Sequence, residues 1–226
     1  MTIKISPIDW NPCYRIIPSM FPPINLFERV VDPEDLEAVY AIESLTNDRL
    51  REEVGDLSLV PAGDRIAGPG SSFVMAAFTH LNPVGSRFSD GTWGVYYAAA
   101  SLNTAVKETV YHRELFMRAT AEQPMHLDMR VLTARVCADM HDIRGSDMYC
   151  DPDPARYPAS QRLAADLKRM SSNGIVYDSV RDSGGQNIAA FKPIVVSGCR
   201  QERHLEYIWD GEKISDVFEK HLLNTG

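Results

Sequence analysis

Between Gly85 and Glu108 the chain reads GSRFSDGTWGVYYAAASLNTAVKE, which brings a guanidinium, two phenols and a carboxylate close together along the sequence. Arg87 lies in a Gly- and Ser-rich turn, Tyr96 and Tyr97 end an apolar aromatic run, and Glu108 falls in the second turn of a helix opened by Ser101. Each type suits one task in a water-poor cleft. A carboxylate stabilises positive charge that develops during reaction, and the guanidinium fork donates several bonds at once to an anion or to sugar hydroxyls. A phenol ring offers a stacking surface. Taken singly, each has a plainer reading: a loop Arg is a solvated charge, a strand Tyr is core, and a helix Glu faces water.

The elements around these residues give the set its shape. WGVYY has the apolar, aromatic character of a buried strand, and small residues follow where the backbone must turn. Ser101 is a capping residue for the helix behind it, whose Leu102, Ala105, Val106, Thr109 and Val110 share one face. A second stretch, IVYDSVRDSGGQNIAAFKP from Ile175 to Pro193, repeats the pattern of strand and polar turn. Its strand, Ile175 to Tyr177, runs into Ser179 and Arg181, a Gly184-Gly185 turn follows, and a strand through Ile188 to Phe191 carries Asn187 near its start.

Together the two stretches resemble the RES domain, a bacterial family named for Arg, Glu and Ser positions. Arg87, Glu108 and Ser179 stand in those positions, Tyr97 lies between the first two, and the order and spacing of motifs match from Tyr14 to Pro193. GTWG stands where the family commonly has a Pro-containing turn. The resemblance implies a fold related to ADP-ribosyltransferases, whose split sheet holds NAD+ in a cleft, and a toxin of a two-gene toxin–antitoxin pair. It implies NAD+ as substrate, no metal, and a protein partner: an Xre-type, helix-turn-helix antitoxin that obstructs the cleft. Glu108, Arg87 and Tyr97 are then the catalytic candidates. Arg87, Tyr97, Ser179, Tyr96, Arg15 and Asn187 are the candidates for contact with the dinucleotide, with Tyr97 preferred to Tyr96 for stacking because strand neighbours face opposite sides. Cleaving the nicotinamide–ribose bond builds positive charge on the sugar, much as in glycoside hydrolysis. The resemblance implies that the ADP-ribose acceptor is a protein side chain, phosphoribosyl pyrophosphate synthetase being one target in the family, or else water or phosphate in a NAD+-degrading enzyme. A function of another class is a non-catalytic module whose cleft only binds a nucleotide or a protein.

Bulk properties narrow the field. A chain of 226 residues, 44% hydrophobic, is expected to form a single domain, residues 1–226, with a helical N-terminal extension at about 18–70. A net charge of −8 without a Lys/Arg block argues against unaided binding to nucleic acid or an anionic membrane. Cys13, Cys137, Cys150 and Cys199 are scattered without CxxC spacing, which points to reduced thiols in a cytoplasmic protein rather than a zinc site or disulfide frame. MTIKISPIDWNP lacks the apolar core of a signal peptide, and no apolar run approaches the ~20 residues of a membrane helix.

Elsewhere, CYRII at Cys13 to Ile17 reads as a first strand, and PSMFPPINLF as an ordered crossing loop. Asp32 caps a helix through about Arg51, with Pro33 in its first turn. Leu57 to Val60 suggests a short strand, while SSFVMAAFTHL is buried with helix and strand both open. GPGSS, lacking the Lys of a phosphate loop, reads as a surface turn. PMHLDMRVLTARVCADMHDI alternates well enough for two strands, Ser160 to Met170 is an amphipathic helix, and Asp210-Gly211 marks a hairpin. The fold class expected is α+β, with a curved, mixed or largely antiparallel sheet flanked by helices.

Overall fold

The longest strand, 18 residues from Met125 to Asp142, is an alternating stretch without an internal Gly, Pro or Asn. A computed structural model describes residues 3–19, 28, 32–36, 38, 40, 54–221 and 223. Along the chain come β1 (Lys4–Pro18), α1 (Ser71–Thr79), β2 (Tyr96–Ala99), α2 (Leu102–Ala119) and β3 (Met125–Asp142). There follow α3 (Tyr157–Arg169), β4 (Gly174–Asp178), β5 (Gln186–Ala190), β6 (Val196–Trp209) and β7 (Ile214–Lys220). The fold is α+β, as the sequence leads one to expect.

Among the described residues the sheet order is β1-β2-β5-β4-β3-β6-β7, and β1 also pairs with β3. Strands β1, β2, β5, β4 and β3 therefore close on themselves, through the single pair Tyr14↔Ala99 between β1 and β2. β3 is one strand where alternation suggested two, because its sequence holds no Gly, Pro or Asn to turn the chain and partners run along both edges. One edge pairs with β1 from Asp142 to Met129. The other is split: Met125 to Val136 pair antiparallel with β6, then His141 and Asp142 pair parallel with β4. CYRII is likewise the end of a longer strand, and a bulge between Trp10 and Cys13 takes up Pro12.

The two faces of this curved sheet carry different cores. One packs Cys13, Tyr96, Ala98, Leu132, Val176 and Ile188 against Val74, Met75 and Phe78 of α1. This settles SSFVMAAFTHL as a helix, its three buried apolar side chains, Val74, Met75 and Phe78, each contributing roughly 1.5–3 kcal/mol. On the opposite face α3 covers Ile175, Tyr177 and Ala189, and α2 covers Ile16, Ala99, Val131 and Tyr207.

Local chemistry fixes several ends. The expected strand at Leu57 to Val60 is a 3-10 turn, Leu57–Leu59, because the Asp56 carboxylate accepts from the Ser58 N–H at 2.9 Å. Asp32 does cap a turn, Pro33–Asp35, accepting from the Glu34 N–H at 3.0 Å. Most of the expected helix to Arg51, and of PSMFPPINLF, lies outside the described residues. In the GTWG segment Gly94 presses on α1, where a Cβ would meet the Phe78 Cα at 2.3 Å, so the strand starts only at Tyr96. At the hairpin Asp210 Oδ1 accepts from the N–H groups of Glu212 and Lys213, both at 2.8 Å.

Candidate active site

Glu108 is positioned by a helix tied to the sheet at three heights. Ser101 caps α2 by accepting from the Thr104 N–H at 3.1 Å. Thr104 Oγ1 donates to Asp182 Oδ2 at 2.7 Å, and Thr109 Oγ1 shares a 2.7 Å hydrogen bond with the Tyr207 hydroxyl. Between them, Glu108 Oε1 accepts from Ser179 Oγ at 2.6 Å and from Asn187 Nδ2 at 2.8 Å. Asn187 pairs with Ala99 and Tyr177 across β5, which turns its side chain to the α2 face. Both donors end on one carboxylate oxygen, so the group is oriented while Oε2 takes no hydrogen bond among the described residues.

Ser179 does more than donate. Its Oγ accepts from the N–H groups of Arg181 and Asp182 at 3.1 and 3.0 Å, shaping the turn between β4 and β5. Asp182 then binds back to α2 through Lys107 Nζ at 2.6 Å, Thr104 Oγ1 and Asn103 Nδ2. The Lys107 hydrogen bond leads in holding the Asp182 carboxyl below its usual range. Gly185 is required here, since a Cβ would stand 2.6 Å from Thr104 Oγ1 and 2.9 Å from Asp182 Oδ2.

Arg87 reaches the same place from the 86–89 turn. That turn is closed by Ser86 N–H donating to Ser89 O at 2.7 Å, and the Tyr97 hydroxyl binds its Ser86 Oγ at 2.8 Å and Phe88 N–H at 3.0 Å. Gln161 of α3 donates to the carbonyls of Ser86 and Ser89. Arg87 is 8% exposed, its Nη1 donates to Asp151 O at 2.7 Å and Tyr149 O at 3.3 Å, and its guanidinium lies 4.7 Å from the centroid of the Tyr157 ring. Among the described residues no carboxylate pairs with it; its printed hydrogen bonds end on backbone carbonyls.

The electrostatics tie the pieces together. Burial pushes the Tyr97 hydroxyl up to about 12, against the lowering effect of the Ser86 and Phe88 bonds and the field of Arg87. Burial also raises Tyr177 well above the usual phenol value, with the Glu108 charge adding and Arg87 opposing. Tyr157 is raised by burial too, and again Arg87 opposes while Glu108 adds. The structure thus joins Glu108 to Ser179 and Asn187, and holds Arg87 in the turn fastened to Tyr97; the fields of Arg87 and Glu108 both reach Tyr157 and Tyr177.

Two candidates do not join these residues. Tyr96 is fully buried in the α1-side core, because its neighbour Tyr97 takes the opposite face of β2. Arg15 is on that same far face: its guanidinium lies 4.9 Å from the Tyr96 ring centroid, and Nη1 donates to the Tyr97 carbonyl at 3.0 Å. It braces β2 from behind, so the assignment of both residues to dinucleotide contact is corrected. Sequence reasoning missed Tyr157, the platform under Arg87, and Asp182, the link from the Ser179 turn to α2. It also gave Arg181 no role, although two residues past Ser179 in a tight turn is a position that can return to the site.

Among the described residues no helix is long and apolar enough to cross a membrane, and no group of three or more His, Cys, Asp or Glu is placed to hold a metal ion. The family model for the RES domain matches residues 64–210. An uncharacterized protein of Sinorhizobium fredii, y4oC, is 32% identical over 209 residues, covering 91% of this chain and 86% of the relative. A solved structure, the M. tuberculosis MbcT–MbcA toxin-antitoxin complex, has a chain similar at 10% identity and a TM-score of 0.42, covering 91% of this chain and 87% of that one.

Proposed function

The chain belongs to the RES domain family, and from that premise we propose that it is the toxin of a toxin–antitoxin pair, cleaving NAD+ at the nicotinamide–ribose bond and passing ADP-ribose to a protein side chain. The observation that carries the reading is the convergence of two donors on Glu108 Oε1, which leaves Oε2 for a sugar hydroxyl beside a buried Arg87. Glu108 holds the ribose 2′-hydroxyl through Oε2 and stabilises the cationic character that the sugar acquires as nicotinamide leaves. Arg87, freed from one of its carbonyl acceptors, binds the diphosphate. Tyr97, fixed at its hydroxyl, offers its ring to the nicotinamide. Ser179 and Asn187 keep the carboxylate from rotating as charge builds. An ADP-ribosyltransferase-like cleft of this kind would be blocked by the partner expected for the family, an Xre-type antitoxin, in the cytoplasm.

NAD+ labelled separately in the nicotinamide and adenylate halves tests the reading. Release of nicotinamide with adenylate label moving onto a protein band is expected. Free ADP-ribose or its 1″-phosphate would replace protein transfer with hydrolysis or phosphorolysis. No nicotinamide release from the free toxin would overturn the enzymatic reading.

A further inference from the structure

Arg181 stacks on Tyr111 of α2, its guanidinium 3.3 Å from the ring centroid, and its Nη2 donates to the Pro152 carbonyl at 2.5 Å. Arg87 donates to the carbonyls of Tyr149 and Asp151 in the same loop. Two guanidiniums from different parts of the chain therefore end on neighbouring backbone oxygens of one segment. Neither pairs with a carboxylate among the described residues. Two of the loop's acids are turned to its backbone: Asp151 Oδ1 accepts from Asp153 N–H and Asp153 Oδ1 from Ala155 N–H, both at 2.9 Å. Ser179 Oγ, which donates to Glu108 Oε1 at 2.6 Å, accepts from the Arg181 N–H at 3.1 Å, so the second guanidinium belongs to the residue next to the Glu108 contact.

Backbone carbonyls satisfy an arginine's donors without cancelling its charge, and a planar ring beneath it fixes its orientation with little loss of freedom. Two such cations, neither paired with a carboxylate among the described residues, suit a ligand with two linked negative groups. We propose that Arg181, on its Tyr111 platform, is a second phosphate-binding residue of the site. It closes with Arg87 on the two phosphates of the dinucleotide and exchanges the Pro152 carbonyl for a phosphate oxygen. This rests on the nucleotide reading given above.

The test is binding of ADP-ribose and of adenosine to the wild-type protein and to Arg181→Met and Arg181→Lys, followed by titration NMR, with melting temperatures measured alongside. One charge-assisted contact corresponds to roughly a 10- to 100-fold weaker ADP-ribose affinity in Arg181→Met, with adenosine unchanged. Arg181→Lys should recover part of the loss, because the charge returns without the fork. ADP-ribose affinity that is insensitive to Arg181→Met, or that falls equally for adenosine, overturns the assignment and leaves the nucleotide reading standing. Wild-type protein that binds no ADP-ribose removes both.

Discussion

Replacing Glu108 by Gln separates chemistry from architecture, because the structure says where each atom of the new side chain goes. The Gln carbonyl oxygen takes the place of Oε1 and still accepts from Ser179 Oγ and Asn187 Nδ2, the bonds now 2.6 and 2.8 Å long. The amide nitrogen falls at Oε2, the atom that the proposed reaction sets against the sugar's developing positive charge. Weakening two hydrogen bonds from charged to neutral costs ~1 kcal/mol of stability, a small shift in melting temperature. Losing a full negative charge about 4 Å from a developing positive one, at an effective dielectric near 20, costs about 4 kcal/mol of transition-state stabilisation, or roughly a thousandfold in rate. The assay is nicotinamide release at saturating NAD+, set beside ADP-ribose affinity measured by calorimetry. A folded Glu108→Gln protein turning over NAD+ within tenfold of wild type would refute the role given to this carboxylate. Lost affinity with an unchanged rate at saturating NAD+ would make Glu108 a binding group only.

Removing the donors should also report their shared acceptor. Ser179→Ala and Asn187→Ala each lower nicotinamide release by ~10-fold or more, and the double variant loses less than the product of the two, which a double-mutant cycle detects as coupling of at least ~0.5 kcal/mol. Ser179→Ala should lower the melting temperature as well, since the N–H groups of Arg181 and Asp182 lose their acceptor; an unchanged value would contradict the turn geometry. Asp142 gives an acid signature. Arg144 binds its carboxylate through Nε at 2.9 Å and Nη2 at 2.6 Å, Ser6 Oγ adds 2.8 Å, and the first of these leads in holding it well below the usual carboxylate range. A depressed folded-state value stabilises above the unfolded carboxyl's ordinary pKa of about 4 and is lost as pH falls toward the folded value. Asp142→Asn should therefore cost about 1–3 kcal/mol in urea unfolding at pH 7 and progressively less between pH 5 and pH 2. The same difference at pH 7 and pH 3 would show that this ion pair does not set the acid limb.

How much of this was legible in the sequence follows the range of each interaction. Ser101 and Asp210 act on N–H groups two or three residues away, and both were readable as signals. The Arg87, Glu108 and Ser179 constellation was readable through motif order. The separation of Tyr97 from Tyr96 followed from strand alternation. Arg15 was not readable, because the face it takes depends on the bulge after Trp10 and on pairing with Leu132 far along the chain. The unbroken β3 was missed for a similar reason: the partners that run along both its edges lie far away in the chain. Tyr157 lies in a polar segment with no local mark of its place beneath Arg87. Asp56 was the opposite failure, a short-range cap whose effect on LSL was outweighed by apolar residues that suggested a strand.

The three fastenings of α2, at Thr104, Glu108 and Thr109, also bear on how the protein fails. A helix held to the β4–β5 turn, to β5 and to β6 cannot fray as a small independent unit; releasing it undoes the Glu108 contacts and exposes the apolar layer beneath in one cooperative event. Inactivation by heat and collapse of the surrounding fold then share a single midpoint, with no partly melted yet competent species between them.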